Sequence, residues 1–239
     1  MATHYRTQGF VLTKENFRET DQVFSVFCQD FGRINVLAKA IRKIKSKLRS
    51  GMGLFYFSEI EFIQGKNFKT LTDAMVIEKF KNMRSDLRKL QIAQKILDAS
   101  DKLIKGEEKD EKIFSLINET LNRLNNYELR ITNYELLYYY FLWNLFSVLG
   151  YKTDLYSCSV CQQKLSPTIM NFSPSQNGLI CLKCSFDSIK DKATISPETV
   201  KILRIIQACD WETFERLKIE NQQLEELELV CEQYLLSFL

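Results

Sequence analysis

Four cysteines set in two short pairs constrain this 239-residue chain more than any other feature: Cys158-Ser-Val-Cys161 and Cys181-Leu-Lys-Cys184, with nineteen residues between them. Two such chelates supply four thiolates, enough to close a tetrahedral zinc shell with no position left for a substrate. The pattern therefore predicts a structural metal site rather than a catalytic one. Between the pairs, Pro167, Pro174 and Asn177-Gly178 provide the turns that bring the second pair back to the first. Three other readings compete. The thiols could be free. Two disulfides would need an oxidising destination, which no N-terminal signal indicates. An iron-sulfur cluster could use the same ligands, but nothing nearby suggests an electron-transfer partner. The isolated Cys28, Cys209 and Cys231 sit in apolar sequence and are expected to be buried thiols.

The rest of the chain reads as two or three globular domains. Hydrophobic residues make up 45%, while Gly and Pro are scarce, so the chain can bury more than one core. No apolar run is long enough to cross a bilayer, and the N-terminus lacks the order of a secretory signal, which makes a cytoplasmic protein the expectation.

Short, partly alternating segments at residues 7–14, 20–28, 33–38, 54–62 and 68–77 predict five strands. Turn residues Asp30-Phe31-Gly32, Gly51, Gly53 and Gln64-Gly65-Lys66-Asn67 separate several of them. A compact five-stranded barrel explains that spacing, the oligonucleotide-binding form being one candidate and a different barrel or open sheet another. After Phe80 the period changes to helical: about 87–104, a break at Gly106, 110–124, 136–149, a start at Ser196-Pro197-Glu198, and 224–236. Asn126-Tyr-Glu-Leu129 recurs as Asn133-Tyr-Glu-Leu136, too few copies to establish a coiled coil. The expected organisation is α+β, with a barrel over residues 1–80 followed by a mainly helical domain over 81–239. The zinc module, at about 151–192, interrupts that helical domain.

Net charge is only +3, but its distribution is uneven. Arg33, Lys39, Arg42, Lys43, Lys45, Lys47 and Arg49 occur with no acidic residue between the first and the last. Such a run can hold a nucleic-acid backbone, with Phe31, Phe55, Tyr56, Phe57 and Phe68 as candidate stacking surfaces wherever strand alternation leaves them outside the core. The bland alternative is a solvated basic loop. The C-terminal end is instead acidic, with Glu212, Glu215, Glu220, Glu225, Glu226, Glu228 and Glu232. Signals of catalysis are poor. The sole histidine, His4, has no sequence neighbour that would make it a base. A phosphate-binding Gly-x-x-x-x-Gly-Lys motif is absent. Glu107-Glu108 and Glu225-Glu226 read as solvated helical acids.

Several stretches in order, Gly9-Phe-Val-Leu12, Glu19-Thr-Asp21, Phe31-Gly-Arg33, Ala38-Lys39 with the basic run to Arg49, Phe172-Ser-Pro174, Asn177-Gly-Leu179 and the cysteine pairs, cover nearly the whole chain. In these the chain resembles the RecO family of bacterial DNA repair proteins. The duplicated Asn-Tyr-Glu-Leu and the polar Ser175-Gln176-Asn177 depart from compact family forms. The resemblance implies an oligonucleotide-binding barrel, a helical domain with a structural zinc ion, and a nonenzymatic recombination mediator in the cytoplasm, on the nucleoid during repair. It implies binding and annealing of single- and double-stranded DNA, with RecR and in some lineages RecF, to load RecA onto DNA covered by single-strand-binding protein. Arg33, Lys39, Arg42, Lys43, Lys45, Lys47 and Arg49 would position DNA, and Cys158, Cys161, Cys181 and Cys184 would hold the zinc. The tail of single-strand-binding protein would meet a groove among the helices at 136–149 and 203–236, rimmed by Lys201 and Arg204. The alternative is a zinc-containing protein-protein adaptor without annealing activity.

Overall fold

A computed structural model describes residues 3–66, 68–126, 134–185 and 189–238. The chain divides into two compact units, residues 1–126 and 127–239.

The first unit is built on five strands: β1 (His4–Phe17), β2 (Asp21–Cys28), β3 (Gly32–Ala38), β4 (Phe57–Gln64) and β5 (Lys69–Glu78). They close into a barrel in the order β1-β2-β3-β5-β4, the topology of the oligonucleotide-binding fold. Its length lets β1 serve two partners. Residues 4–10 pair with β4 and residues 9–17 with β2, and a register shift between Val11 and Thr13 marks the changeover. Alternation then explains the continuous apolar run at Phe10-Val11-Leu12. Val11 points into the barrel with Phe24, Val26, Ile34, Val36, Ile60 and Phe62. Phe10 points outward, stacking on Phe57 at 4.7 Å and meeting Phe114 of a helix at 5.3 Å.

That helix is α3 (Glu111–Asn126), which follows α1 (Lys81–Ser85) and α2 (Leu87–Leu103). Asp86 caps α2 by accepting from the amides of Arg88 and Lys89, and Asp110 accepts from those of Lys112 and Ile113 at the start of α3. On β3, Ile34 and Val36 face inward and Arg33 faces out, where its Nε donates to Asp101 Oδ1 of α2 at 2.7 Å. The pair Glu107-Glu108 lies in the α2–α3 connection, not on a helix, and Glu107 accepts from Lys69 Nζ at 2.6 Å. The expectation of solvated helical acids is thus corrected for that pair.

The barrel seam is its least paired part, because β3 meets β5 only at Val36–Lys69 and Leu37–Thr70. Beyond it, the β3–β4 connection, residues 39–56, covers β5. A Cβ on Gly51 would lie 2.3 Å from the Ala74 carbonyl oxygen, so only glycine lets the two backbones approach this closely.

In the second unit, α4 (Glu135–Val148) is buried over the whole of residues 136–146 and forms the core helix. Residues 136–146 are therefore core and do not themselves line an exposed groove, while 147–149 are part-exposed. Around Trp143 and Phe146 gather Phe172, Tyr234 and Phe238. The other helices are α5 (Pro197–Gln207), α6 (Trp211–Glu215) and α7 (Asn221–Leu236), and a small sheet is ordered β7-β6-β8 from β6 (Met170–Ser173), β7 (Gly178–Ile180) and β8 (Ala193–Ile195). Ser196 caps α5 with Pro197 at its first position, as its sequence predicts. Glu226 is not a solvated acid either. It accepts from the Ser196 amide and from the Ser196 and Thr199 hydroxyls at 2.6–2.9 Å. Burial would raise its pKa, but these donors outweigh burial and hold the carboxyl below its ordinary value.

Cys28 and Cys231 are buried, whereas Cys209 is exposed, which corrects the third of the buried-thiol expectations. It sits just beyond α5 at φ +55, a left-handed helix-terminating position that turns the chain outward. The first Asn-Tyr-Glu-Leu copy beyond Asn126, and Asn133 of the second, lie outside the described residues. Among those described, no helix is long and apolar enough to cross a membrane.

Gly51→Ala should force the β3–β4 connection off β5 and cost about 1–3 kcal/mol of barrel stability, as overpacking does. Urea unfolding should show this loss, with Ser50→Ala, a change at an exposed neighbour, close to wild type. An unchanged midpoint for Gly51→Ala would mean that the connection does not seal the barrel.

Candidate nucleic-acid interface and candidate metal centre

The basic run does not hang free from the barrel. Three backbone and side-chain contacts pin its first part to the β1–β2 turn. The Ala40 amide donates to Asp21 Oδ1 at 2.7 Å, the Arg42 amide to the Thr20 carbonyl at 3.0 Å, and Arg42 Nη1 to the Glu19 carbonyl at 2.9 Å. The Ala40 donor lowers the Asp21 pKa below its ordinary value. Ala40 itself adopts φ +54, and Ile41 is buried in the barrel core. Thus the three residues Glu19-Thr20-Asp21 act together as a clamp on the loop.

Clamping brings Arg42 and Arg49 to one concave surface with Lys14 of β1 and Gln22 of β2, along with Ile41, Met52 and Gly53, around a cavity of about 360 Å³. Its lining holds three cations and no acid. Sequence spacing could not have found Lys14 and Gln22, because they reach this surface through the β1–β2 hairpin. Lys39, Lys43, Lys45 and Lys47 are exposed along the same connection. Arg33 differs from the other six. It is half-buried and bonded to Asp101, so its guanidinium fixes β3 to α2.

Of the five aromatic candidates, the structure leaves one exposed. Phe31 packs on Tyr5 and Phe62, Phe55 is buried, and Phe57 stacks on Phe10. Tyr56 is half-buried with the Arg84 and Lys79 cations over its ring at 5.2 and 5.7 Å. Phe68, exposed at the start of β5, lies 5.6 Å from Phe17 at the end of β1, whose ring carries the Arg18 guanidinium at 5.2 Å. Phe17, half-buried beyond the exposed Lys14, Glu15 and Asn16 at the end of β1, was not among the aromatic candidates of the sequence. His4, at the other end of β1, meets Glu61 of β4 at 2.6 Å, a cross-strand pair at the surface.

The four paired cysteines converge. All four Sγ atoms lie within 4.8 Å of one another, and Cys161 and Cys181 are 3.9 Å apart. A tetrahedral thiolate shell with metal–sulfur bonds of about 2.3 Å sets its sulfurs about 3.8 Å apart, so the cluster has the dimensions and the soft donors to hold such an ion. Among the described residues it is the one grouping of this kind. The peptide around it is arranged for anionic sulfur. Burial would raise the Cys158 pKa, but the amides of Cys161, Cys181 and Val160 lower it below the ordinary value, and the Cys181 amide lies 3.4 Å from the Cys158 sulfur. Cys184 moves the other way, raised by burial and by the neighbouring sulfurs. A divalent cation at the centre would reverse that repulsion.

Close packing of the knuckles explains the turn at Asn177-Gly178. The Ser159 amide donates to the Leu179 carbonyl at 2.8 Å, and a Cβ on Gly178 would lie 2.2 Å from Ser159 Oγ. Lys201 and Arg204, on α5, line a shallow cavity of about 80 Å³ with Leu165, Pro167 and Met170. Lys201 is exposed, whereas Arg204 donates from Nε and Nη2 to the Leu155 carbonyl and lies over the Tyr156 ring at 4.3 Å.

Comparison with known proteins covers both units. Residues 1–80 match the family model described as Recombination protein O N terminal, and residues 84–237 match Recombination protein O C terminal. A DNA repair protein RecO from Dehalococcoides mccartyi is 36% identical over 225 residues, spanning 94% of this chain and 87% of that protein. Another, from Alkaliphilus metalliredigens, is 30% identical over 235 residues, 98% of this chain and 93% of its own length. With a matching oligonucleotide-binding barrel, a mostly helical second unit and a four-cysteine cluster, the chain belongs to the RecO family.

Proposed function

We propose that this protein is a nonenzymatic mediator of DNA repair and homologous recombination, which binds and anneals DNA and helps load recombinase onto DNA covered by single-strand-binding protein. The observation that carries this reading is the acid-free concave surface of Lys14, Arg42 and Arg49 on an oligonucleotide-binding barrel, in a chain of the RecO family. Phosphates on that surface would gain attraction from every cation and meet no lined carboxylate. The barrel over residues 1–80 grips single- and double-stranded DNA through Lys39, Arg42, Lys43, Lys45, Lys47 and Arg49, joined by Lys14. Arg33 supports this face indirectly, by anchoring β3.

Residues 81–239 carry the zinc module and the protein contacts. Cys158, Cys161, Cys181 and Cys184 hold one Zn²⁺, which supplies a fixed tetrahedral centre and closes the return loop. RecR, single-strand-binding protein and in some lineages RecF are the partners, with RecA as the recombinase served. The exposed Lys201 beside the cavity on α5 is the cation offered to an acidic tail, and Arg204 shapes that cavity while bonded to Leu155. Work of this kind takes place in the cytoplasm, on the nucleoid.

Metal analysis tests the ligands. Wild type should carry about one zinc per chain and Cys158→Ser much less, with faster loss to a chelator and local unfolding of the second unit. Equal occupancy and equal retention in the two proteins would remove Cys158 from the ligand set.

Combined Lys39→Gln, Arg42→Gln and Lys43→Gln should weaken single-stranded DNA binding and flatten the slope of log affinity against log salt by up to about two, at about 0.7 per lost phosphate contact. A folded triple variant with unchanged affinity and slope would reject this loop as the binding face.

Complementary labelled strands should pair faster with the protein present, without ATP and with both strands remaining full length. Binding without faster pairing would favour the adaptor alternative. Cleavage that tracks the purified protein would overturn the nonenzymatic reading.

A further inference from the structure

The most exposed large apolar residue of the first unit stands in the middle of its basic loop. Ile44 is 93% exposed, and Lys43 and Lys45 flank it. Isolated apolar residues on a surface are ordinary, so exposure alone means little. The loop around Ile44, however, is held in place. Its base is clamped to the β1–β2 turn through Asp21, Thr20 and Glu19. Ile41, three residues earlier, is buried in the barrel core. Turn bonds close on either side of the tip, from the Lys43 amide to the Ala40 carbonyl at 3.1 Å and from the Ser46 amide to the Lys43 carbonyl at 3.0 Å. One isoleucine anchors the loop and the other is presented to solvent on a backbone already ordered.

We propose that Ile44 is an apolar wedge that inserts between two successive bases of a bound nucleic-acid strand while Lys43 and Lys45 hold the phosphates on either side. This rests on the reading of the loop as the DNA-binding face. Aliphatic side chains act as wedges in this way because unstacking one base step exposes apolar base faces that the side chain then covers. Opening one step stretches the repeat of about 3.4 Å per base on a strand to about 7 Å. Lys43 and Lys45 sit in the turn closed by the Ser46 amide, so their backbones stand closer than the extended limit of about 7 Å for residues two apart, and their long side chains reach the rest of the way to phosphates on either side of one opened step. The six cations from Lys39 to Arg49, with no intervening acid, select a polyanion over an apolar protein face. A strand held with its bases apart is also poorly placed to fold on itself, which leaves its pairing edges open to a complementary strand.

Ile44→Ala removes the wedge and leaves every charge in place. Binding to a single-stranded oligonucleotide should weaken roughly tenfold at each salt concentration, the scale of burying one branched aliphatic side chain, with the salt slope unchanged. A 2-aminopurine placed in that oligonucleotide should brighten with wild type, as its neighbours unstack, and remain dim when Ile44→Ala is saturated. Ile44→Leu should restore both signals. Circular dichroism should match throughout, since the side chain packs against nothing that it would leave empty. Wild-type affinity and wild-type brightening in Ile44→Ala, alongside weakened binding by the triple glutamine variant, would overturn the wedge while leaving the binding face intact. If the triple variant also binds normally, the DNA-binding reading of the loop falls, and the wedge with it. Loss of binding to vesicles with anionic headgroups in Ile44→Ala, with DNA binding unaffected, would assign the residue to a membrane surface and equally overturn the proposal.

Discussion

Everything in the first unit depends on one strand having two partners. β1 gives residues 4–10 to β4 and residues 9–17 to β2, and without that sharing the five strands would form an open sheet. Closure has two consequences. It puts both faces of Phe10-Val11-Leu12 out of water, the inner against the barrel interior and the outer under α3. It also leaves one weak place, the two-residue seam between β3 and β5. The β3–β4 connection covers β5 beyond that seam, with Gly51 on Ala74, so the loop that carries the cations is also part of the wall.

That double duty explains how a run of like charges can be held on a fold that gains nothing from their mutual repulsion. Arg42 donates through its backbone and its side chain to neutral carbonyls of the β1–β2 turn, and Asp21 spends its charge on the Ala40 amide rather than on a lysine. The loop is therefore fixed mainly by hydrogen bonds to backbone groups. Its lysines and Arg49 are not consumed in fixing it and remain exposed. Arg33 shows the opposite allocation. Its charge is spent on Asp101, inside the unit, and it contributes to the surface only by holding β3 in place.

Much of this was legible in the sequence, and the parts that were not share a physical cause. Period-two alternation and turn residues located all five strands, and Ser196-Pro197 located the start of α5, because those signals are local. The paired cysteines located the four-sulfur cluster for the same reason, since such spacing fixes two sulfurs at a time. What sequence could not supply was which distant groups meet. Lys14 and Gln22 join the basic surface through hairpin pairing, and Glu226 leaves solvent to bond Ser196, thirty residues away. Phe55 is buried, Phe31 and Phe57 pack half-buried on other rings and Phe68 is exposed, and since only Phe57 of the four lies on a strand, alternation could not sort them. Cys209 is exposed because the chain turns left-handed at the end of α5, which no apolar pattern announces.

The cysteine module of the second unit solves a different problem from the barrel's. Its strands are three or four residues long, and the apolar cluster around the sulfurs is small: Cys158, Ile180 and Cys184, with Leu165, Cys181 and Ile189 packed against them. A cluster of that size offsets little of the ordering of this segment, at about 1–2 kcal/mol per residue for the backbone alone, and further burial comes from Phe172 on Trp143 and Tyr234 of the helical core. Tetrahedral metal ligation at the four cysteines would offset more of that ordering, since structural zinc contributes about 10–16 kcal/mol in small zinc-binding peptides. The peptide supports that ligation beforehand, with amides directed at the Cys158 sulfur and Gly178 admitting Ser159. Four thiols at this spacing without a cation would repel on ionising, and the Cys184 thiol is raised first by burial and then by the neighbouring sulfurs. The same closeness that makes the cluster unfavourable when empty would make it favour a dication, and a metal held there would couple its binding to the folding of this module.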